Sequence, residues 1–322
     1  MIAKYDISII VCCFNSANRL RKTLEHLAFQ KTKEVSCEVI IVDNNSTDDT
    51  AAIALTTCQL LNMPHSLKII NEPKAGLSYA RRTGIYNASG KYILFCDDDN
   101  WLQEDYLEIS FDFMENNLRI GVLGGNGIAV SSIEFPNWFS TYQSNYAVGV
   151  QNIESGIVNS RRYVWGSGMM VRTKDLLNLY EAGFVSLLID RKGNDLSSGG
   201  DAEICSWFLL IGKDLYYDEQ LVFKHFIEPQ RLTKEYFERL KRGMAPSANV
   251  LRKYNIMIDY VNKKDQLNFF KTIIILINLF LTRKWSHVSI FLEILNSTPL
   301  VFSKSTNKIL KSRKVFIEKT RQ

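Results

Sequence analysis

Two hydrophobic rhythms alternate along the first third of the chain. Ile7-Ser8-Ile9-Ile10-Val11-Cys12-Cys13-Phe14 is a short apolar run, the pattern of a strand covered on both faces. Asn15-Ser16 then opens an amphipathic stretch, predicted helical to about Gln30. Glu38 to Val42 reads as a second buried strand ending at Asp43. Ser46, with Asp49 three residues on, predicts a capping box at the start of the next helix. Leu67 to Ile70 is a third strand, Gly76 to Ala88 a helix, and Lys91 to Cys96 a fourth strand running into Asp97-Asp98-Asp99. Repeated strand–helix units of this length specify a parallel sheet covered by helices. Ligands of such sheets bind beyond the carboxyl ends of the strands. Asp43 and the triple aspartate both fall there.

The rhythm weakens after residue 120. Ile120 to Gly125 predicts another strand, Phe135 to Ser160 shows no clear period, and Tyr163 to Arg172 reads as a strand through Gly166-Ser167-Gly168. A polar, glycine-rich segment from Asp190 to Gly200 leads into a helix beginning near Ala202. Beyond Pro229 the pattern is mostly helical. Asp265 to Leu295 predicts two apolar helices broken near Arg283-Lys284-Trp285. The most apolar piece, Phe269 to Leu281, is about a third short of the ~20 residues that span a bilayer. Three roles stay open for these helices: packing on the domain, a dimer surface, or a place in the membrane interface.

Composition changes the picture little. At 322 residues, 46% hydrophobic and 23% charged, the chain has the make-up of a globular protein with a full core. The net charge of +5 is concentrated toward the end, where Lys and Arg outnumber Asp and Glu. That leaves either a solvated helix face or attraction to an anionic membrane surface. Nucleic acid is not an expected partner, since aromatic residues do not interleave with the basic ones. Six cysteines without CxxC pairs or disulfide spacing suggest a reducing compartment. The N-terminus lacks the pattern of a signal peptide. A cytoplasmic location is expected, with peripheral contact at the inner membrane surface as its variant.

The triple aspartate carries the sharpest chemistry. Adjacent carboxylates after a buried strand repel one another, and a divalent cation relieves that cost. Hard oxygen ligands suit magnesium or manganese, which also take up phosphate oxygens. In an extended segment the side chains of Asp97 and Asp99 project to one side and can serve one cation. The alternative is an acidic turn with Asn100 starting a helix.

The ordered set Ile7–Asn15, Val39–Asp43 followed by Asn44-Asn45-Ser46-Thr47-Asp48, Gly76 with Ala80-Arg81, and Asp97–Asp99 resembles glycosyltransferase family 2. The resemblance is close over about residues 6 to 110. It runs more loosely to about 245 through Gly199-Gly200-Asp201-Ala202-Glu203 and Val222-Phe223-Lys224-His225. It implies an α/β protein of GT-A type, a Rossmann-like mixed sheet flanked by helices. The catalytic domain would cover 1–245, with 1–110 binding the nucleotide and 111–245 the acceptor, and 246–322 would form a helical extension. The implied reaction moves a sugar, with inversion, from a nucleotide-diphosphate donor, by family habit a UDP-sugar. The acceptor would be a hydroxyl of a glycan or lipid-linked glycan.

Residue by residue, the resemblance implies that Phe14 and Asn15 hold base and ribose, and that Asp43 accepts from the nucleobase. It places Arg81 near the nucleotide, with Asp97 and Asp98 against the donor. Asp97, Asp99 and His225 would manage a divalent metal, Mn2+ or Mg2+. Asp201 is the implied base and Glu203 the reserve, because the family commonly has Glu where this chain has Gly200. Trp138 and Trp165 to Gly168 face the acceptor on this reading, or else pack in the core. A dehydrogenase is excluded by a first turn, Phe14-Asn15-Ser16-Ala17-Asn18, that holds no glycine. A nucleotidyltransferase and a binding protein without activity remain as rivals. Oligomerisation stays open.

Overall fold

A computed structural model describes residues 3–188, 190–193, 195–264, 269–285, 287–288 and 304–320. Strands β1 (Tyr5–Cys13), β2 (Cys37–Asp43), β3 (Ser66–Asn71) and β4 (Gly90–Asp97) alternate with helices α1 (Leu20–Ala28), α2 (Thr50–Leu60) and α3 (Leu77–Asn87). They form a parallel block in the order β3-β2-β1-β4. The sheet continues through β8 (Met170–Arg172), β6 (Ile120–Val130), β9 (Asp214–Phe226) and β5 (Asn100–Leu102). Here β8 runs antiparallel to β4 and β6, β9 runs parallel to β6, and β5 runs antiparallel to β9. A two-residue β7 (Gly156–Ile157) adds to β9. This is the mixed α/β sheet expected from the sequence.

Two cores explain the two-sided apolar runs. On one face Ile7, Ile9, Val11, Val39 and Ile41 pack with Leu20, Leu24, Leu27, Ala54 and, from α4 (Tyr106–Asn116), Leu107 and Met114. On the other, Ile10, Ile40, Val42, Ile93 and Phe95 meet Ala80 and Ile85 of α3. Past the one-turn helix α5 (Phe139–Tyr142), residues of α6 (Thr173–Glu181), α7 (Gly200–Leu210) and α8 (Lys234–Lys264) join the same core. Alternate residues of one strand serve opposite cores because strand side chains alternate faces. Ser8 and Glu38 interrupt the apolar register, and the Ser8 hydroxyl donates to the buried Glu38 carboxylate at 2.6 Å.

Gly90 marks where β4 presses on β1: a Cβ there would lie 2.4 Å from the Ser8 nitrogen and 2.7 Å from the Ile7 carbonyl carbon. Both atoms are backbone and cannot step aside. Gly90→Ala is expected to cost about 2–3 kcal/mol, read as a lowered urea midpoint with unchanged slope.

Four local expectations are corrected. The helix after β1 starts at Leu20, since Asn15 adopts a left-handed φ of 49° and residues 17–19 form a turn. Ser46 does not cap α2; its hydroxyl accepts the Asn15 N–H at 3.0 Å, and the helix starts at Thr50. Only Met170–Arg172 of the 163–172 stretch is strand. Gly168 turns at φ +70°, and the Gly166 N–H goes to a side chain rather than to a neighbouring strand. Asn100 begins β5, not a helix.

The later helices pack on the domain. α8 runs unbroken across residue 245 with Pro246 inside it, and sets Tyr254, Met257 and Ile258 in the core. Helix α9 (Phe269–Leu281) buries Leu279, and α10 (Lys304–Thr320) buries Ile309 and Phe316. Ile274, Ile277, Phe280 and Trp285 remain exposed. Residues 289–295, the rest of the second expected apolar helix, lie outside the described residues. Among the described residues no helix is long and apolar enough to cross a membrane.

Candidate active site

The parallel strands deliver the expected groups to one edge. Register sets Cys12 beside Asp97 and Cys13 beside Asp43, so β1, β2 and β4 end together. Over these ends lies a cavity of about 480 Å³, lined among others by Phe14, Asn15, Arg81, Asp97, Asp98, Asp99, Asp201 and His225. Asp43 is half-buried at the margin rather than in the lining, its carboxylate accepting the Ser46 N–H at 3.2 Å. Asn44 lines the cavity in its place, tied down by its amide bonds to the Glu72 and Lys74 carbonyls and the Gly76 N–H.

The three aspartates do different things. Asp97 accepts the Ser167 hydroxyl at 2.5 Å. Asp98 is buried, and Arg19 binds both its oxygens at 2.9 Å while the Ser16 hydroxyl donates to it as well. Burial, then Asp99 beside it, push the Asp98 carboxyl up, and Arg19 opposes them. Asp99 accepts from Arg231 at 2.9 Å and stands 3.4 Å from His225 Nε2. Burial alone would raise its pKa, but His225, Arg231 and Arg19 outweigh that and hold the carboxyl well below the usual range.

The expected metal triplet is not assembled. Asp98 and Asp99 form a tight turn, so Asp97 and Asp99 do not sit in the extended segment that would aim both to one side. Among the described residues no three His, Cys, Asp or Glu side chains gather as a cation cage. Asp99 and His225 do meet, because the β5–β9 ladder pairs Asn100 with His225. Two ligands each about 2.1 Å from one cation at a right angle stand about 3 Å apart, close to the 3.4 Å seen here. Magnesium sites usually take only one or two carboxylates, the rest being water and substrate phosphate. The donor pair therefore fits an open cation site, provided Arg231 gives up Asp99.

Asp201, also in the lining, lies in the first turn of α7. It accepts the Gly166 N–H at 2.9 Å and the Ala202 N–H at 2.8 Å. Gly199, not Asp201, is the N-cap residue. The reserve candidate Glu203 points away: it is fully buried and accepts from Ser186, Leu187, Leu188 and Tyr254. A carboxylate with every lone pair engaged in the core cannot act as base in the cavity. Arg81 is buried and paired with Asp190 at 2.6 Å. Trp138 packs at a tilt against Phe139 and Phe237, and Trp165 is buried beneath Arg161, so both indoles pack rather than line the cavity. Gly166 and Ser167 do line it.

Sequence reading missed Arg19, Asp190 and Arg231. Each is made functional-looking only by a partner 79 to 132 residues away. The available signals were weak: a basic residue three after Ser16, one six after His225, and the acid opening the glycine-rich segment.

The glycosyl transferase family 2 model matches residues 8–176, just over half of the chain. Glycosyltransferase GlyA of Streptococcus pneumoniae is 37% identical over 108 residues, 34% of this chain and 15% of that protein. A cholesterol galactosyltransferase of Borreliella burgdorferi is 29% identical over 146 residues, 43% of this chain and 39% of that protein. The chain thus spans well under half the length of these relatives. Residues 1–349 of Staphylococcus aureus TarS, solved with UDP, superpose with a TM-score of 0.56 over 98% of this chain and 91% of that one, at 18% identity. The same TarS segment with UDP-GlcNAc gives 0.54 at 16% identity. The GT-A architecture implied by the sequence is therefore the observed one. With the model's match beginning in β1 and running through the triple aspartate into α6, the chain belongs to glycosyl transferase family 2.

Proposed function

We propose that the chain transfers a sugar from a UDP-sugar to a hydroxyl of a glycan or lipid-linked glycan, in one displacement with inversion. The observation that carries this is the shared cavity, whose lining joins the Asp97–Asp99 turn and its arginines to the Asp201 carboxylate. Phe14 and Asn15 would flank base and ribose, and Asp43 would accept the uracil imide N–H. TarS is solved with UDP and with UDP-GlcNAc, which supports a uridine donor here.

Asp201 would take the proton of the acceptor hydroxyl as its oxygen bonds to the anomeric carbon. The bond from that carbon to the diphosphate oxygen breaks on the opposite face, and its electron pair leaves with UDP. The N–H groups of Gly166 and Ala202 hold the carboxylate in place. Arg19 and Arg231 bring positive charge to the wall where negative charge builds on the leaving group. A divalent cation on Asp99 and His225, completed by phosphate oxygens, would add Lewis-acid stabilisation of the same charge.

UDP with Mn2+ is expected to raise the melting temperature by roughly 4 °C at a hundredfold excess over Kd. In Asp99→Ala the manganese-dependent part of that rise should vanish while a smaller rise with UDP alone persists. Equal shifts with and without Mn2+ in the natural protein would rule out the metal-assisted form of the reaction. Release of UDP from UDP-sugars distinguishes an enzyme from a binding protein.

A further inference from the structure

The residue before Asp201 is Gly200, where the family resemblance leads one to expect glutamate. The space a side chain would enter there is already taken. A Cβ on Gly200 would lie 2.5 Å from Asp190 Oδ2 and 3.0 Å from Arg81 Nη1. Asp190 comes from the glycine-rich segment ten residues earlier. It is 4% exposed and held at φ +61°, a left-handed backbone rare for a residue with a side chain. Its Oδ2 accepts from Arg81 Nη1 at 2.6 Å. The other end of that guanidinium faces the base: Arg81 Nη2 would be 3.1 Å from a Cβ on Gly166, and the N–H of Gly166 donates to Asp201. Both Asp190 and Asp201 raise the pKa of the buried Arg81 against the opposing effect of burial. One guanidinium is bonded to Asp190 and lies within electrostatic reach of Asp201 and Asp97.

We infer that Asp190 supplies, from the loop, the carboxylate that this chain lacks at position 200. It is a positioning residue. By taking Arg81 Nη1 it keeps the guanidinium from closing on Asp201, which stays free for the acceptor proton. This rests on the reading of Asp201 as the base and adds to it. A buried cation that loses one counter-ion turns to the next. Removing the Asp190 carboxylate would therefore leave Arg81 forked on Asp201, its proton-accepting lone pairs occupied. The inference also makes the two positions exchangeable. Gly200 lies outside the left-handed region, so a side chain is admissible there once Asp190 is trimmed.

The test measures UDP release from UDP-GlcNAc, UDP-glucose and UDP-galactose with Mn2+, and UDP affinity by calorimetry. Asp190→Ala should lower kcat about 100-fold while the UDP Kd moves less than about threefold. Asp190→Asn, which keeps the shape and loses the charge, should fall similarly and guards against a folding defect. Gly200→Glu alone crowds two acids around Arg81 and should also be slow. The double variant Asp190→Ala/Gly200→Glu should recover at least about tenfold over Asp190→Ala, a coupling that two independent structural losses would not show. An Asp190→Asn protein with natural kcat overturns the inference, as does a folded, UDP-binding double variant no faster than Asp190→Ala. A natural chain that binds UDP yet releases none from any donor overturns the transfer reading itself, and this one with it.

Discussion

Asp201→Asn is expected to lower kcat by at least about 10³-fold while UDP binds within about threefold of the natural affinity. General-base removal typically costs about 10²–10⁴. The upper part of that range applies because the other candidate is out of reach: Glu203 is sealed in the core. The amide keeps the size of the carboxylate and can still accept the Gly166 and Ala202 N–H groups through its oxygen. The helix start should therefore survive. Initial rates of UDP release, set beside calorimetric UDP titration, check this. An Asn variant within tenfold of the natural kcat would require another base.

The second large effect concerns stability. Glu203→Ala is expected to cost about 3–5 kcal/mol. Its carboxylate receives the Ser186 hydroxyl at 2.5 Å, the Leu187 and Leu188 N–H groups at 2.8 and 3.3 Å, and the Tyr254 hydroxyl at 2.8 Å. Alanine would strand the Leu187 and Leu188 N–H groups and the Tyr254 hydroxyl, leave the exposed Ser186 hydroxyl to the Leu188 carbonyl, and open a void besides. Burial pushes the Glu203 carboxyl above its ordinary value of 4.5, with those four donors opposing. A carboxyl whose pKa is raised by folding stabilises most below its unfolded value, and that contribution is lost as pH rises through the folded one. The gap between natural and variant urea midpoints should therefore be widest near pH 4.5 and narrow toward neutrality. A gap that widens with pH would contradict the assignment.

What the sequence disclosed follows from where burial is two-sided. β1, β2 and β4 are covered on both faces, so their apolar runs are continuous and their ends legible to within two or three residues. The carboxylates at those ends were legible for the same reason. The stretch from Tyr163 to Met169 has apolar residues too, but its backbone bends at Gly168 and spends hydrogen bonds on side chains, which no periodicity records. Trp138 and Trp165 looked like sugar platforms because an indole reads the same in a core or a cleft. Arg19, Asp190 and Arg231 were hidden because a surface arginine and a buried counter-ion are the same letter. Only a partner brought from afar by the fold tells them apart.

Asp99 and His225 are 126 positions apart along the chain, yet neither loop geometry nor chance brings them together. The β5–β9 ladder does, by facing Asn100 with His225. A slip of one rung would send the imidazole to the far side of the sheet. Insertions and deletions in the loops between residues 103 and 213 can thus accumulate without touching this pair, whereas a single-residue insertion inside Phe223–His225 would part them. Among relatives, length should vary freely between these two strands and hardly at all within them.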